Sequence, residues 1–187
     1  MSKLVPPHGS DTLMPLLLPE VERAESLRRA KTLKQVPMSS RETSDFLMLA
    51  MGAYTPLTGF MGHDDWRRCC SDMKLANGLF WPIPITLSCD NDLANSIDVE
   101  DTVALVEQET GVIMGLLDVT EKYSIDKSFE CHHVFRTVDP KHPGVAKVLA
   151  QGEVNLAGRV TALSEGTYPD QYNGLYYRPA ETRALFT

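Results

Sequence analysis

The side chains with the strongest claim to chemistry are a Cys131-His132-His133 triplet, an adjacent Cys69-Cys70 pair, the acidic runs Asp64-Asp65 and Asp90-Asn91-Asp92, and His8 within Pro7-His8-Gly9-Ser10. A cysteine beside two histidines has the composition of a zinc site, but zinc needs ligands converging from separated positions, and neighbours on a helix point about 100° apart. No second cluster at zinc spacing accompanies the triplet. Cys69-Cys70 lacks the two-residue gap of a redox or zinc-ribbon pair. All 4 cysteines read as reduced, packed thiols, because a chain of 187 residues can bury a core without disulfide staples. The acidic runs lack the spaced oxygen ligands of a calcium loop and read as helix caps and turns. A lone turn histidine such as His8 reads as structural. Neither glycine spacing that cradles phosphate, Rossmann or P-loop, occurs. The residues themselves thus indicate no catalytic, cofactor-binding or metal-binding position, and any chemistry this chain serves is completed by residues it lacks.

Composition is that of a globular protein, 43% hydrophobic and 23% charged, without repeats or low-complexity tracts. A net charge of −7 opposes loose binding to nucleic acid or an anionic membrane. The one basic cluster, Arg23, Arg28, Arg29, Lys31 and Lys34, is interleaved with Glu20, Glu22 and Glu25 and reads as a solvated helix face. Apolar runs fall far short of the roughly 20 residues a membrane span requires. The opening Met1-Ser2-Lys3-Leu4-Val5-Pro6-Pro7 lacks an apolar signal core, which points to the cytoplasm.

The elements that would position these groups begin with a helix over 20–32, its stripe Val21, Ala24, Leu27 and Ala30 following Pro19. A second helix over 39–52 carries the capping-box pair Ser39 and Glu42 and a left-handed stop at Gly52. The loop 54–62 follows, then a helix over 63–73 with Trp66, Cys69, Cys70 and Met73 inward, and a turn at Asn77-Gly78. Phe80 to Leu87 is extended, its prolines confining it to an edge or bulge. Thr102–Val106 and Val112–Val119 flank a hairpin turn, Pro143–Gln151 is helical, and Val154–Leu163 is a strand. A last helix opens at Pro179 and is left without a capping signal, so the sequence reads as cut within an element. The fold class expected is α+β, a mixed and largely antiparallel β-region with flanking helices.

The stretch Ser40-Arg41-Glu42-Thr43-Ser44-Asp45-Phe46-Leu47-Met48-Leu49-Ala50-Met51-Gly52-Ala53-Tyr54-Thr55-Pro56-Leu57-Thr58-Gly59-Phe60-Met61 resembles the N-terminal signature of the ATP sulfurylase (sulfate adenylyltransferase) family. Pro7-His8-Gly9, Trp81-Pro82-Ile83-Pro84-Ile85-Thr86-Leu87, Thr137-Val138-Asp139-Pro140-Lys141-His142-Pro143-Gly144-Val145 and Arg178-Pro179-Ala180-Glu181-Thr182-Arg183-Ala184-Leu185-Phe186 agree with it in order, so the resemblance covers essentially the whole chain. It implies a PUA-like, β-rich domain over 1–175 and the start of a Rossmann-like catalytic domain over 176–187.

In that family the following domain joins AMP from ATP to sulfate, giving adenosine 5′-phosphosulfate and pyrophosphate. The family's Gln-Thr-Arg-Asn-Pro and Gly-Arg-Asp-His segments do not occur here, so no family catalytic residue maps onto this chain. The resemblance implies ATP with Mg²⁺, sulfate and homo-oligomerisation for the intact enzyme, with nothing bound by this segment. A free-standing PUA-like RNA-binding module and a non-catalytic subunit are the alternatives. The apolar members of the 54–62 loop, Tyr54, Leu57, Phe60 and Met61, are expected to dock on the missing catalytic domain, since a phosphate pocket would show cations and clustered amides there instead.

Overall fold

The computed structural model describes residues 4–186. The Met1-Ser2-Lys3 part of the opening segment and Thr187 lie outside the described residues. The chain contributes to two compact units in turn: one takes residues up to Gly59, Thr102–Asp118 and those from Arg159 on, and the other takes Phe60–Asp101 and Val119–Gly158. The strands β1 (Gln35–Met38), β2 (Gly59–Phe60), β3 (Leu87–Cys89), β4 (Thr102–Glu107), β5 (Ile113–Ser124) and β6 (Val154–Ala162) pair in the order β1-β4-β5-β6-β2, with β3 also pairing β6.

In the first unit, helix α1 (Glu20–Ala30) starts after Pro19 with Glu20 and Glu22 in its first turn and Arg28 and Arg29 in its last, the charge order that suits a helix dipole. Its expected stripe is only half used. Ala30 is buried, but Val21 is 88% exposed, because residues nine apart lie on opposite sides of a 3.6-residue helix. Ala30 packs with Ala104, Leu116 and Leu163, and Leu27 lies against that cluster. The basic residues Arg28, Arg29, Lys31 and Lys34 are exposed, as a solvated face requires.

Strand β1 (Gln35–Met38) was hidden by its brevity and by Pro37. It runs parallel to β4 (Thr102–Glu107), buries Val36 and Met38, and lies at the end of the strand order, where a proline is tolerated. Helix α2 (Ser40–Ala50) has the anticipated capping box: Ser39 N–H donates to Glu42 Oε2 at 2.9 Å, and Glu42 N–H donates to Ser39 Oγ at 3.4 Å. Gly52 ends it at φ +78°, also as anticipated. Strand β2 (Gly59–Phe60) follows.

In the second unit, α3 (His63–Asp72) points Trp66, Cys69 and Cys70 inward. Met73, expected on that face, is 47% exposed, because the helix stops at Asp72 and Met73 turns left-handed at φ 54°. The Pro82 and Pro84 stretch carries an isolated bridge from Phe80 to Lys74, and regular pairing begins only at β3 (Leu87–Cys89), antiparallel to β6 (Val154–Ala162). Between them lie α4 (Asn91–Ser96) and β5 (Ile113–Ser124), the latter antiparallel to β4 across the expected turn and longer than the sequence suggests. Helix α5 (Lys127–Glu130) continues into a π-helical turn, Cys131–Phe135, and α6 (Pro143–Leu149) starts with proline in its first turn under a His142 cap. Helices α7 (Tyr168–Gln171) and α8 (Pro179–Leu185) belong to the first unit.

Gly152 leads into β6 against the backbone of β3, and a Cβ there would sit 2.1 Å from the Cys89 carbonyl oxygen. That neighbour is main chain and cannot swing aside. Gly152→Ala is therefore expected to cost about 1–3 kcal/mol or more of unfolding free energy. Urea denaturation beside the wild type measures it, and an unchanged midpoint would contradict the close approach.

Candidate functional site

The Cys131-His132-His133 triplet does not converge. Cys131 is buried against Val145 and Val148, His132 is exposed, and the half-buried His133 Nδ1 is hydrogen-bonded to the Phe129 carbonyl at 2.9 Å. Among the described residues no group of three or more His, Cys, Asp or Glu side chains is placed to hold a metal. All four cysteines are buried and none is in a disulfide. Burial, with Glu130 and Asp65 nearby, pushes the Cys69 thiol up to about 12, and burial likewise raises Cys70 and Cys131. Such thiols are poor nucleophiles near neutral pH.

The acidic runs have structural roles. Asp64 pairs with Arg68 at 3.1 Å, Asp65 accepts from Ala76 N–H at 2.7 Å, and Asp90 caps α4 by accepting from Leu93 N–H at 2.8 Å. Further into that unit, Trp66 Nε1 donates to the buried Glu130 at 2.7 Å, and the rings of His63, Tyr123 and Phe129 lie within 5.9 Å of the Trp66 ring or of one another. Tyr123 donates to the Met61 carbonyl at 3.0 Å.

The expected docking loop is placed differently from its sequence reading. Leu57 is 9% exposed, and Phe60 and Met61 are 3% each, so three of the four side chains are already covered by this chain. Apolar composition in a Pro- and Gly-punctuated loop meant core here, not display. Tyr54 stays half-buried and donates to Asp45 Oδ1 at 3.2 Å, while Arg41 lies 3.7 Å from Asp45 Oδ2. Burial pushes the Asp45 carboxyl from 3.8 up to about 6, against the opposing pull of Arg41 and the Tyr54 hydroxyl and with a small push from Glu42.

A second polar centre, in the first unit, escaped the sequence reading. Buried Glu165 accepts from Arg178 Nε at 3.0 Å and also from Nη2, and the Tyr176 hydroxyl donates to it at 3.1 Å. Arg178 in turn opens α8, where Glu181 Oε2 accepts its backbone N–H at 2.7 Å. Buried Glu107 accepts from the Tyr168 hydroxyl at 2.6 Å and from Thr110 Oγ1, and that bond to Glu107 pushes the Tyr168 phenol up to about 12. These bonds fasten Tyr168, Tyr176 and Arg178, while within 164–186 Leu175 is 81% exposed, Leu185 71% and Phe186 73%. The signal available in sequence was Arg178 three residues before Glu181, but the partner Glu165 is a long-range fact.

The PUA-like domain family model matches residues 5–165. The chain belongs to the PUA-like domain family. It is 54% identical over 184 residues to a sulfate adenylyltransferase of Chlorobium chlorochromatii and 56% identical over 188 residues to one of Syntrophobacter fumaroxidans. Those alignments cover 98% and 100% of this chain and 46% of each relative, so the chain spans about half the length of the curated relatives it matches. A solved structure titled hexameric APS kinase, from Thiobacillus denitrificans, superposes with a TM-score of 0.74 at 28% identity, covering 98% of this chain and 31% of that one. These relatives agree with the α+β, PUA-like expectation. The family match ends at Glu165, the residue that holds Arg178.

Two measurements probe the loop. Phe60→Ala should destabilise this chain by itself by about 3–5 kcal/mol, the cost of emptying a buried aromatic site, and a loss seen only in a longer protein would return Phe60 to an interface. For Asp45 the sign follows from its raised value: the folded chain holds the proton more tightly than the unfolded one, so stability is gained as pH falls through 6 towards 4 and lost as it rises. The stability advantage of Asp45→Asn over wild type should therefore shrink by about 1–3 kcal/mol between pH 7 and pH 4. Denaturation curves across that window measure it, and a constant difference contradicts the assignment.

Proposed function

We propose that this chain is the N-terminal part of a sulfate adenylyltransferase, and that the intact protein converts ATP and sulfate to adenosine 5′-phosphosulfate and pyrophosphate. The observation that carries the reading is identity of 54% and 56% across essentially the whole chain to two proteins of that name, each about twice as long. In this reading the segment is structural, ending near residue 175, and the catalytic groups belong to a following domain. Attack on the α-phosphorus gathers negative charge that a cationic clamp, with Mg²⁺ on ATP, has to offset. The candidate groups of this chain are poorly suited to that role, because burial raises the Cys69, Cys70 and Cys131 thiols and Arg178 is bonded to Glu165 and Glu181.

The same reading takes the protein to be cytoplasmic and the intact enzyme to be a homo-oligomer, supported by the likeness to a structure titled hexameric. Among the described residues no helix is long and apolar enough to cross a membrane. A free-standing RNA-binding module is not favoured, given a net charge of −7.

The test compares the protein encoded by the whole gene with this chain. The longer protein should release pyrophosphate from ATP in the presence of sulfate or molybdate, and this chain should not rise above a no-protein control. ATP with Mg²⁺ should leave this chain's melting temperature unchanged, since only a fold that binds a ligand is stabilised by it. Turnover by this chain alone, or a dose-dependent rise of several degrees, would overturn the division of labour.

A further inference from the structure

We propose that Asn173 is a site of self-modification, at which the main chain of Gly174 converts the asparagine amide to aspartate or isoaspartate, and that the fold shields its sequence twin, Asn77. The inference goes beyond the enzyme reading and does not depend on it.

Two asparagines of the chain precede glycine, in Asn77-Gly78 and Asn173-Gly174. In such a pair the glycine nitrogen loses its proton and attacks the asparagine Cγ, a new C–N bond forms, and the side-chain nitrogen leaves as ammonia. Water then opens the resulting succinimide at either of its carbonyls, giving aspartate or isoaspartate. Glycine favours the attack because it has no Cβ to crowd the closing ring. The two sites are otherwise matched. Both asparagines are exposed, both glycines have positive φ, +85° at Gly78 and +78° at Gly174, and a Cβ on either would meet no atom within 4 Å.

Hydrogen bonding separates them. The Gly78 N–H donates to the Leu75 carbonyl at 2.9 Å, and Asn77 Oδ1 accepts from Leu79 N–H at 2.9 Å. Leu75 N–H closes that turn on the Leu79 carbonyl at 2.8 Å, and the Leu75 side chain anchors it by being buried. The attacking nitrogen and the carboxamide it must reach are thus both engaged, and those bonds have to break before reaction. At the other site, among the described residues, no hydrogen bond engages the Asn173 side chain or the Gly174 N–H.

Isoaspartate routes the main chain through the former side-chain carbon and so lengthens it between residues 173 and 174. The insertion falls inside a turn in which Leu175 N–H and Tyr176 N–H both donate to the Tyr172 carbonyl at 2.9 Å, and the Tyr176 hydroxyl is one of the groups that meet Glu165. Modification therefore loosens the 172–176 turn and adds a carboxylate close in sequence to the exposed Asp170.

Peptide mapping of the whole-gene protein, aged in mildly alkaline buffer with and without urea, reads both sites. In the folded protein Asn173 should convert at least about tenfold faster than Asn77, the factor to which the breaking of one or two hydrogen bonds corresponds. In urea, where neither turn persists, the two rates should converge. Equal rates in the folded protein, or faster conversion at Asn77, overturn the proposal, as does an Asn173 that reacts only in urea. A difference that persists undiminished in urea belongs to the flanking sequence and overturns the shielding by the fold. Hydrogen–deuterium exchange at the Leu175 and Tyr176 amides should be faster in the isoaspartate form than in freshly prepared Asn173→Asp, which adds the charge without lengthening the chain. Equal exchange in those two forms overturns the loosening of the turn.

Discussion

A carboxylate withdrawn from water has to be met by donors, and the arrangement of this chain follows how it meets that requirement for Glu42, Glu107, Glu130 and Glu165, each of them nearly sealed from solvent. Every one ties together segments that would otherwise part. Glu42 closes the start of α2 on Ser39, Glu130 takes the indole proton of Trp66 from α3, Glu107 fixes Tyr168, and Glu165 fixes Tyr176 and Arg178. Removing a donor would leave a buried acid unmatched, which costs far more than the bond itself contributes to stability. The acids therefore specify where α2, α3, α7 and α8 lie within their own units.

The same accounting explains why the reactive-looking residues are chemically quiet. Cys69 donates to the Trp81 carbonyl at 3.0 Å, Asp90 caps a helix, and His142 Nδ1 accepts from Gly144 and Val145 N–H at the start of α6. Each has its polar capacity committed to the backbone. A group that acts on substrate has to be poised and accessible, and burial here raises thiol values in the direction opposite to activation. The PUA-like family match takes in residues 5–165, which include Cys69, Asp90 and His142.

Much of the fold was legible because its signals are local. The Ser39 and Glu42 spacing, the left-handed Gly52, the β-branched runs around the 108–111 turn and the proline opening α6 each act within a few residues and were realised where expected. What escaped depended on distant partners. Strand β1 exists through its parallel register with β4, and its sequence, Gln35 to Met38 with a proline inside, carries little strand character of its own. Whether an apolar residue is core or surface is also a long-range property. Phe60 and Leu185 look alike in composition, yet one is 3% exposed and the other 71%. The candidate site was the least legible part for this reason, since composition alone pointed to the 54–62 loop.

Within 164–186 one acid, Glu165, is buried, while Asp170, Glu181 and both leucines, Leu175 and Leu185, are exposed. Isolated exposed leucines carry no message, because apolar atoms make up much of any protein surface. Here the Glu165–Arg178 ion pair joins the end of β6's following loop to the start of α8. Arg178 gives up hydration and chain entropy to meet a buried carboxylate, a trade that is weak as a source of stability and better understood as fixing one conformation among several.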